Sequence, residues 1–246
     1  MRGAALGLVL WAAGAGLAQA ERVPVAQGEV IRATLIDPTD RYDHDILGSL
    51  PDWGGLVIKV NTCLECAGFI FADVVVTLPK TRVFEDVEAR VADLDGDGRS
   101  EVIVVETDMA RGATLAIYDA TGKRASTKPV GQTHRWLAPA GIGDFDGDGR
   151  VEIAYVDRPH LAKELVFLRY ADGTLTEIAR APGFANHRIG QEVISGGTLR
   201  CDGQDRLIVA SGDWSRRLTV RLDGRRITAK DAGPLTGTDQ WQPVCP

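Results

Sequence analysis

Four carboxylates crowd into nine residues at Asp93, Asp95, Asp97 and Glu101, and the same spacing returns 51 residues later as Asp144, Asp146, Asp148 and Glu152. Like charges at that density repel one another unless a cation holds them. A hard divalent ion with about six to eight oxygen ligands suits the pattern, and the main-chain carbonyl at the seventh position, from Arg99 or Arg150, adds one more oxygen. Gly98 and Gly149 permit the chain reversal around such an ion. Calcium fits better than magnesium, because protein supplies nearly all the oxygens and the geometry is flexible. The expectation is therefore two calcium sites. An EF-hand opens alike but closes on a glutamate at position twelve and lies between helices. Here the last acid stands at position nine, and strand-forming residues follow at once.

The elements that carry these loops repeat as well. Residues 91–104 align with 142–155, a worn copy at 198–209 keeps Asp202-Gly203 and Leu207-Ile208-Val209, and Leu35-Ile36-Asp37 with Ile46-Leu47 marks a first copy. Arg41 and Arg200 stand where acids belong in the worn copies, so those units are not expected to bind metal; Arg41 is expected to reach Asp37 or Asp43 instead. Helical periodicity is absent, and each unit of roughly 50 residues reads as four short strands. The second unit places them at 87–92, 102–106, 114–118 and 124–128, the third at 136–143, 151–156, 164–170 and 174–179, and the fourth at 188–194, 207–210, 217–222 and 226–230. Asp119-Ala120-Thr121-Gly122, Ala171-Asp172-Gly173 and Asp223-Gly224 mark tight turns between third and fourth strands. The expected fold is all-β: a small β-propeller of about four four-stranded blades with Asp-rich calcium loops, in one domain over 21–246, the blades near 29–80, 81–130, 131–181 and 182–246. A β-sandwich or an open array of hairpins is the rival geometry.

The two Asp-x-Asp-Gly-Asp-Gly-Arg-x-Glu loops resemble FG-GAP/VCBS repeats, the calcium-loop blades of integrin-α-like propellers, and the match is specific over residues 91–107 and 142–157. The resemblance implies a secreted propeller in which Asp93, Asp95, Asp97, Glu101, Asp144, Asp146, Asp148 and Glu152 are ligands. Propellers of that family commonly have seven blades, more than this length allows. The whole chain also resembles small exported bacterial VCBS-repeat proteins, a likeness that brings no activity with it.

In a propeller the two acidic loops share one face, and the connections entering each first strand gather on the other. That second face would carry Arg82, His134, Arg135, Trp136, His187 and Arg188, where cationic and aromatic groups could hold an anionic small molecule or glycan, or a protein partner. Packing against neighbouring blades is the plainer role for the same side chains. An enzyme needs a nucleophile with a base, or an open metal site. Ser195 lies in Ile194-Ser195-Gly196-Gly197, which lacks the Gly-x-Ser-x-Gly turn, and no histidine has an obvious acid and nucleophile beside it in the sequence. The chain reads more as a binding or interaction module than as an enzyme; the alternative is a small hydrolase or lyase acting on an anionic saccharide or ester.

Composition sets the remaining bounds. With 44% hydrophobic residues the chain has enough apolar surface to fold, and a formal charge of −6 argues against nucleic-acid binding. Arg2, the apolar run from Ala4 to Leu17 and Ala18-Gln19-Ala20 read as a signal peptide over 1–20, cut after Ala20, which makes the product exported, periplasmic or secreted, and not membrane-spanning. Export fits four cysteines held as two disulfides, with Cys201 and Cys245 tying the C-terminal tail to an earlier loop, and Cys63 with Cys66 closing a surface loop rather than serving as a redox pair.

Overall fold

The computed structural model describes residues 22–235 and Cys245; the expected signal segment over 1–20 lies outside the described residues. Apart from one 3-10 turn at Val25–Gln27, all the described regular structure is β, arranged in three sheets. The first sheet holds β1 (Glu29–Thr39), β2 (Asp52–Asn61), β3 (Phe71–Thr77), β4 (Arg82–Phe84), β5 (Arg90–Ala92), β6 (Glu101–Asp108), β7 (Gly112–Asp119) and β8 (Gly122–Ser126). The second holds β9 (Leu137–Gly143), β10 (Glu152–Asp157), β11 (Glu164–Ala171) and β12 (Thr174–Pro182). The third holds β13 (Phe184–Ala185), β14 (Gly197–Cys201), β15 (Gln204–Ser211), β16 (Arg216–Asp223) and β17 (Arg226–Pro234). All pairings are antiparallel, and the succession of repeated antiparallel units is propeller-like.

The first and second units share one sheet because Trp53 in β2 pairs with Phe84 in β4. Strands β6 and β10 are buried along almost their whole length, with a different hydrophobic cluster on each face, which is why they read as unbroken apolar runs rather than alternating ones. The β7–β8 and β11–β12 hairpins form where the turn residues lie, with Gly122 and Asp172-Gly173 at positive φ.

Three strand expectations are corrected. Residues 87–92 form a strand only at Arg90–Ala92, and the separate β4 pairs with the other end of β6. The buried Asp86 carboxylate breaks the ladder between them: it accepts from the Val105 N–H at 2.9 Å and pairs with Arg90 at 2.9 Å. Residues 188–194 form no strand. The chain leaves the sheet at Asn186, whose amide donates to the carbonyls of Ala138 and Pro139, and returns at β14. Ile46-Leu47 is a turn rather than a second strand, since β2 begins only after Pro51. Both side chains are nonetheless buried in the core around Trp136, and Ile46 accepts from the Gly190 N–H at 3.1 Å.

Both expected disulfides are formed, Cys63–Cys66 and Cys201–Cys245, and there is no free cysteine. Among the described residues no helix is long and apolar enough to cross a membrane.

Candidate functional site

The acidic loops join β5 to β6 and β9 to β10, and their local construction is the same. The second residue of each loop is a hydrophobic anchor: Leu94 and Phe145 are 2% and 1% exposed, and Phe145 packs edge-on to Phe167 with ring centroids 5.3 Å apart. The last acid folds back over this anchor, so that Glu101 Oε2 accepts from the Leu94 N–H at 2.9 Å and Glu152 Oε2 from the Phe145 N–H at 3.0 Å. The first aspartate bridges the turn. Asp93 accepts from the N–H groups of Gly96 and Gly98 at 2.8 and 3.0 Å, and Asp144 from those of Gly147 and Gly149 at 2.7 and 3.0 Å. All four glycines have φ between 78° and 85°, a conformation that side-chain-bearing residues rarely adopt.

This framework gathers oxygens. Asp93, Asp95 and Glu101 each bring a carboxylate oxygen within 4.8 Å of the others, and so do Asp144, Asp146 and Glu152. Either cluster could hold a metal ion, and an all-oxygen, carboxylate-rich donor set suits a hard cation such as calcium. The third aspartates are turned toward their neighbours: Asp97 pairs with Arg99 at 3.2 Å and Asp148 with Arg150 at 3.0 Å.

The loops differ in what faces them across the sheet. Glu152 lies in register with Arg169 of β11, whose guanidinium contacts Glu152 Oε1, Asp148 Oδ2 at 3.1 Å and Asp146 Oδ2 at 3.3 Å. In the second unit Val102 pairs with Tyr118, which sets Asp119 at the corresponding place beside Glu101. Burial, with the charges of Asp95, Asp97 and Asp93 added, pushes Glu101 up to about 7 against the pull of the Leu94 N–H. Burial raises Glu152 as well, but there Arg169 opposes it. A hollow of about 310 Å³ opens beside the first loop, lined by Asp95, Glu101, Asp119, Arg124, Tyr170 and Asp172 among others.

The opposite end of the strands has another character. Strand β10 runs from Glu152 to Asp157, a rise of about 17 Å, and beyond Asp157 the chain enters a region that gathers all four histidines. His44 stacks on His134 with centroids 5.1 Å apart, and His160 Nε2 lies 3.1 Å from His187 Nδ1. The buried Trp136 lies edge-on to His187 and donates its indole N–H to the Glu85 carbonyl at 2.8 Å. Glu85 is 1% exposed; its carboxylate accepts from Thr107 at 2.7 Å and holds His44 Nδ1 at 2.5 Å. Burial and the neighbouring His187 push His160 down to about 4, and burial lowers His187 too, so both are neutral at neutral pH.

The face residues expected from sequence divide accordingly. His134, Arg135 and Trp136 line one shallow hollow with His44, Arg158 and His160. His187 lies behind it, fully buried, with Nε2 at 2.9 Å from the Gln191 carbonyl. Arg82 lines a separate hollow and is engaged by Glu106 at 2.6 Å, while Arg188 packs over Trp214, 4.4 Å from the ring centroid. Among the described residues no carboxylate comes within 4 Å of Arg135 or Arg188 to form an ion pair. Arg41 reaches neither Asp37 nor Asp43; its guanidinium donates to the Arg82 carbonyl. A larger hollow, about 760 Å³, is lined by the 38–52 segment with Asp40, Asp43, Asp45 and Asp52, a lining that repels anions. Asp52 there is pushed up to about 8 by burial and by Glu85 and Asp45.

Sequence reading placed His160 on the face opposite the acidic loops and Glu85 among its pairing acids, but missed Arg169 and Asp119 as neighbours of the acidic loops and His44 as the partner of Glu85. Strand register could have found Arg169 and Asp119 once the hairpins were placed; nothing local marks His44.

Residues 93–155, which span both acidic loops, match the family described as FG-GAP-like repeat. Two solved structures resemble the chain, both at 14% sequence identity. The exotype rhamnogalacturonan lyase YesX has a TM-score of 0.44, covering 84% of this chain and 47% of that one. The rhamnogalacturonan lyase YesW has a TM-score of 0.42, covering 83% and 49%. The chain spans about half the length of each lyase. No curated protein matches the sequence.

Proposed function

We propose that this chain is an exported, calcium-stabilised β-propeller of about four blades that works as a binding module for an anionic ligand. The observation that carries the reading is the Asp93, Asp95 and Glu101 cluster, where converging carboxylate oxygens sit on a turn already shaped by backbone N–H donors. Calcium at the acidic loops would tie each first strand to its second, and since it binds only the folded form it would add to stability. No step of chemistry is assigned to it.

The ligand side of the reading rests on Arg135 at the imidazole-lined hollow and Arg188 over the Trp214 ring, cations without a carboxylate partner among the described residues. A carboxylate, phosphate or acidic glycan would meet charge-assisted donors there. The hollow at Trp136 measures about 30 Å³, so a ligand would lie across it rather than sink in. Two disulfides fit an oxidising compartment, periplasmic or extracellular.

One observation favours the enzyme alternative, a hydrolase or lyase on an anionic saccharide or ester. The buried Glu85 fixes the His44 ring and leaves its other nitrogen available as a base at the same hollow. Calorimetric titration with a uronate oligosaccharide and with inorganic phosphate tests both readings. Arg135→Ala with Arg188→Ala should weaken binding about tenfold or more, and unchanged binding would end the proposal for this face. His44→Ala should alter affinity only; an activity lost with His44 would favour the enzyme.

A further inference from the structure

The two acidic loops have the same spelling and the same backbone hydrogen bonds, so the oxygens left over by that framework can be compared one by one. In the first loop, Asp95 Oδ1 is taken by the Asp97 N–H and Glu101 Oε2 by the Leu94 N–H. Among the described residues Asp95 Oδ2 and Glu101 Oε1 receive neither a hydrogen bond nor an ion pair. In the second loop, Asp146 Oδ1 and Glu152 Oε2 are taken in the same way. The two remaining oxygens, Asp146 Oδ2 and Glu152 Oε1, both accept from Arg169, which reaches Asp148 Oδ2 as well. A cation is thus seated in the second loop on the counterparts of the oxygens that stay open in the first.

The surroundings make the contrast sharper. Register continued one residue beyond Val102–Tyr118 puts Asp119, paired with Arg124, at the place of Arg169, so the first loop has no cation there where the second has one. Arg99 pairs with Asp97 of the loop itself at 3.2 Å, as Arg150 does with Asp148, and Arg124 pairs with Asp119 at 3.3 Å; among the described residues neither Arg99 nor Arg124 bonds to Asp95 Oδ2 or Glu101 Oε1. A guanidinium on these oxygens occupies lone pairs and sets a like charge against an incoming dication, so the ion must displace it or bind against that repulsion.

We infer that the two loops are not equivalent: the Asp93 loop takes the dication, while the Asp144 loop is neutralised from within by Arg169, so that the chain binds one calcium ion tightly and a second only by expelling the guanidinium or binding against its charge. This rests on the reading of the loops as calcium sites. Displacing contacts to buried charged groups should set the two affinities at least about 100-fold apart.

The test is calorimetric titration of the metal-free protein with calcium chloride. Wild type should show one ion in the tight phase. Asp95→Asn should remove that phase and Asp146→Asn should leave it intact, a contrast that does not depend on any change to Arg169. Arg169→Gln should raise the tight stoichiometry to two. Two wild-type ions within a few-fold of each other in affinity, or a tight phase lost with Asp146→Asn and kept with Asp95→Asn, would overturn the inference while leaving calcium binding standing. A folded Arg169→Gln protein that still binds one ion would overturn it too. No binding in wild type or Arg169→Gln would instead overturn the calcium reading itself.

Discussion

The second and fourth units close the same junction in different ways. In the second, the ladder between its first and second strands ends at Ala92 and Glu101, and eight residues loop out between them. In the fourth it ends at Cys201 and Gln204, and only Asp202 and Gly203 intervene, at φ 52° and 77°. The first arrangement stacks carboxylates that need a counter-charge. The second removes them, turns the chain in two residues and places Cys201, bonded to Cys245, on the last rung. The third unit lies between these, with a full acidic loop and an arginine inside it. On the proposed reading, one junction would be neutralised by a cation from solvent and the next by a cation from the chain, while the last dispenses with the carboxylates and ties its rung to the C-terminal tail by a covalent bond. The comparison teaches that two loops spelled alike differ in the residue across the sheet, and on the inference above that residue, rather than the loop sequence alone, sets metal dependence.

Each of these devices can be removed separately, and the effects should fall in order. Asp95→Ala should cost the calcium-dependent part of stability, about 4 kcal/mol if calcium is near a thousandfold over its dissociation constant, whereas Asp146→Ala should retain most of it. Chemical denaturation with and without calcium measures both. Replacing Cys201 and Cys245 together by Ala should cost about 2–4 kcal/mol whether calcium is present or not, because Asp202 and Asp205 at that junction do not belong to either acidic cluster that could hold a metal. Arg169→Ala leaves the buried Glu152 without its partner and should cost about 2–3 kcal/mol in chelator. Calcium should restore most of that loss; a loss that persists in calcium would break the equivalence between ion and guanidinium.

The smallest effect belongs to the far end of the strands. His160 has a folded value of about 4 against an ordinary value of 6.5, so the unfolded chain takes up the proton first as pH falls. Stability from its neutral state is complete above about pH 6.5 and is lost progressively toward pH 4, by about 1–2 kcal/mol. His160→Asn should flatten that part of the profile. An acid limb as steep as in wild type would assign the loss to other groups.

Much of this was legible in the sequence, for reasons that differ from place to place. The acidic loops announced themselves because all their ligand candidates lie within nine residues and the pattern occurs twice. The hairpin turns were legible through Asp and Gly at their tips. Residues 188–194 misled because Ile189, Val193 and Ile194 are β-branched residues of the kind a strand uses, while Asn186 gives its amide to carbonyls of another unit, a pairing that no local pattern records. Ile46-Leu47 misled because burial in the Trp136 core demands apolar side chains in a turn just as it does in a strand. The repeat put His134, His160 and His187 on one face, but His44 was beyond reach, because it comes from the 38–52 segment, where the repeat is worn, and only the folded chain stacks it on His134.

The central claim is that calcium holds this fold through the Asp93 loop. Its most direct measurement is the melting temperature of the purified protein in millimolar calcium and again in excess chelator. The account predicts a fall of about 5–15 °C on chelation, reversed by added calcium and absent in Asp95→Ala. Superimposable melting curves for wild type under the two conditions would contradict it.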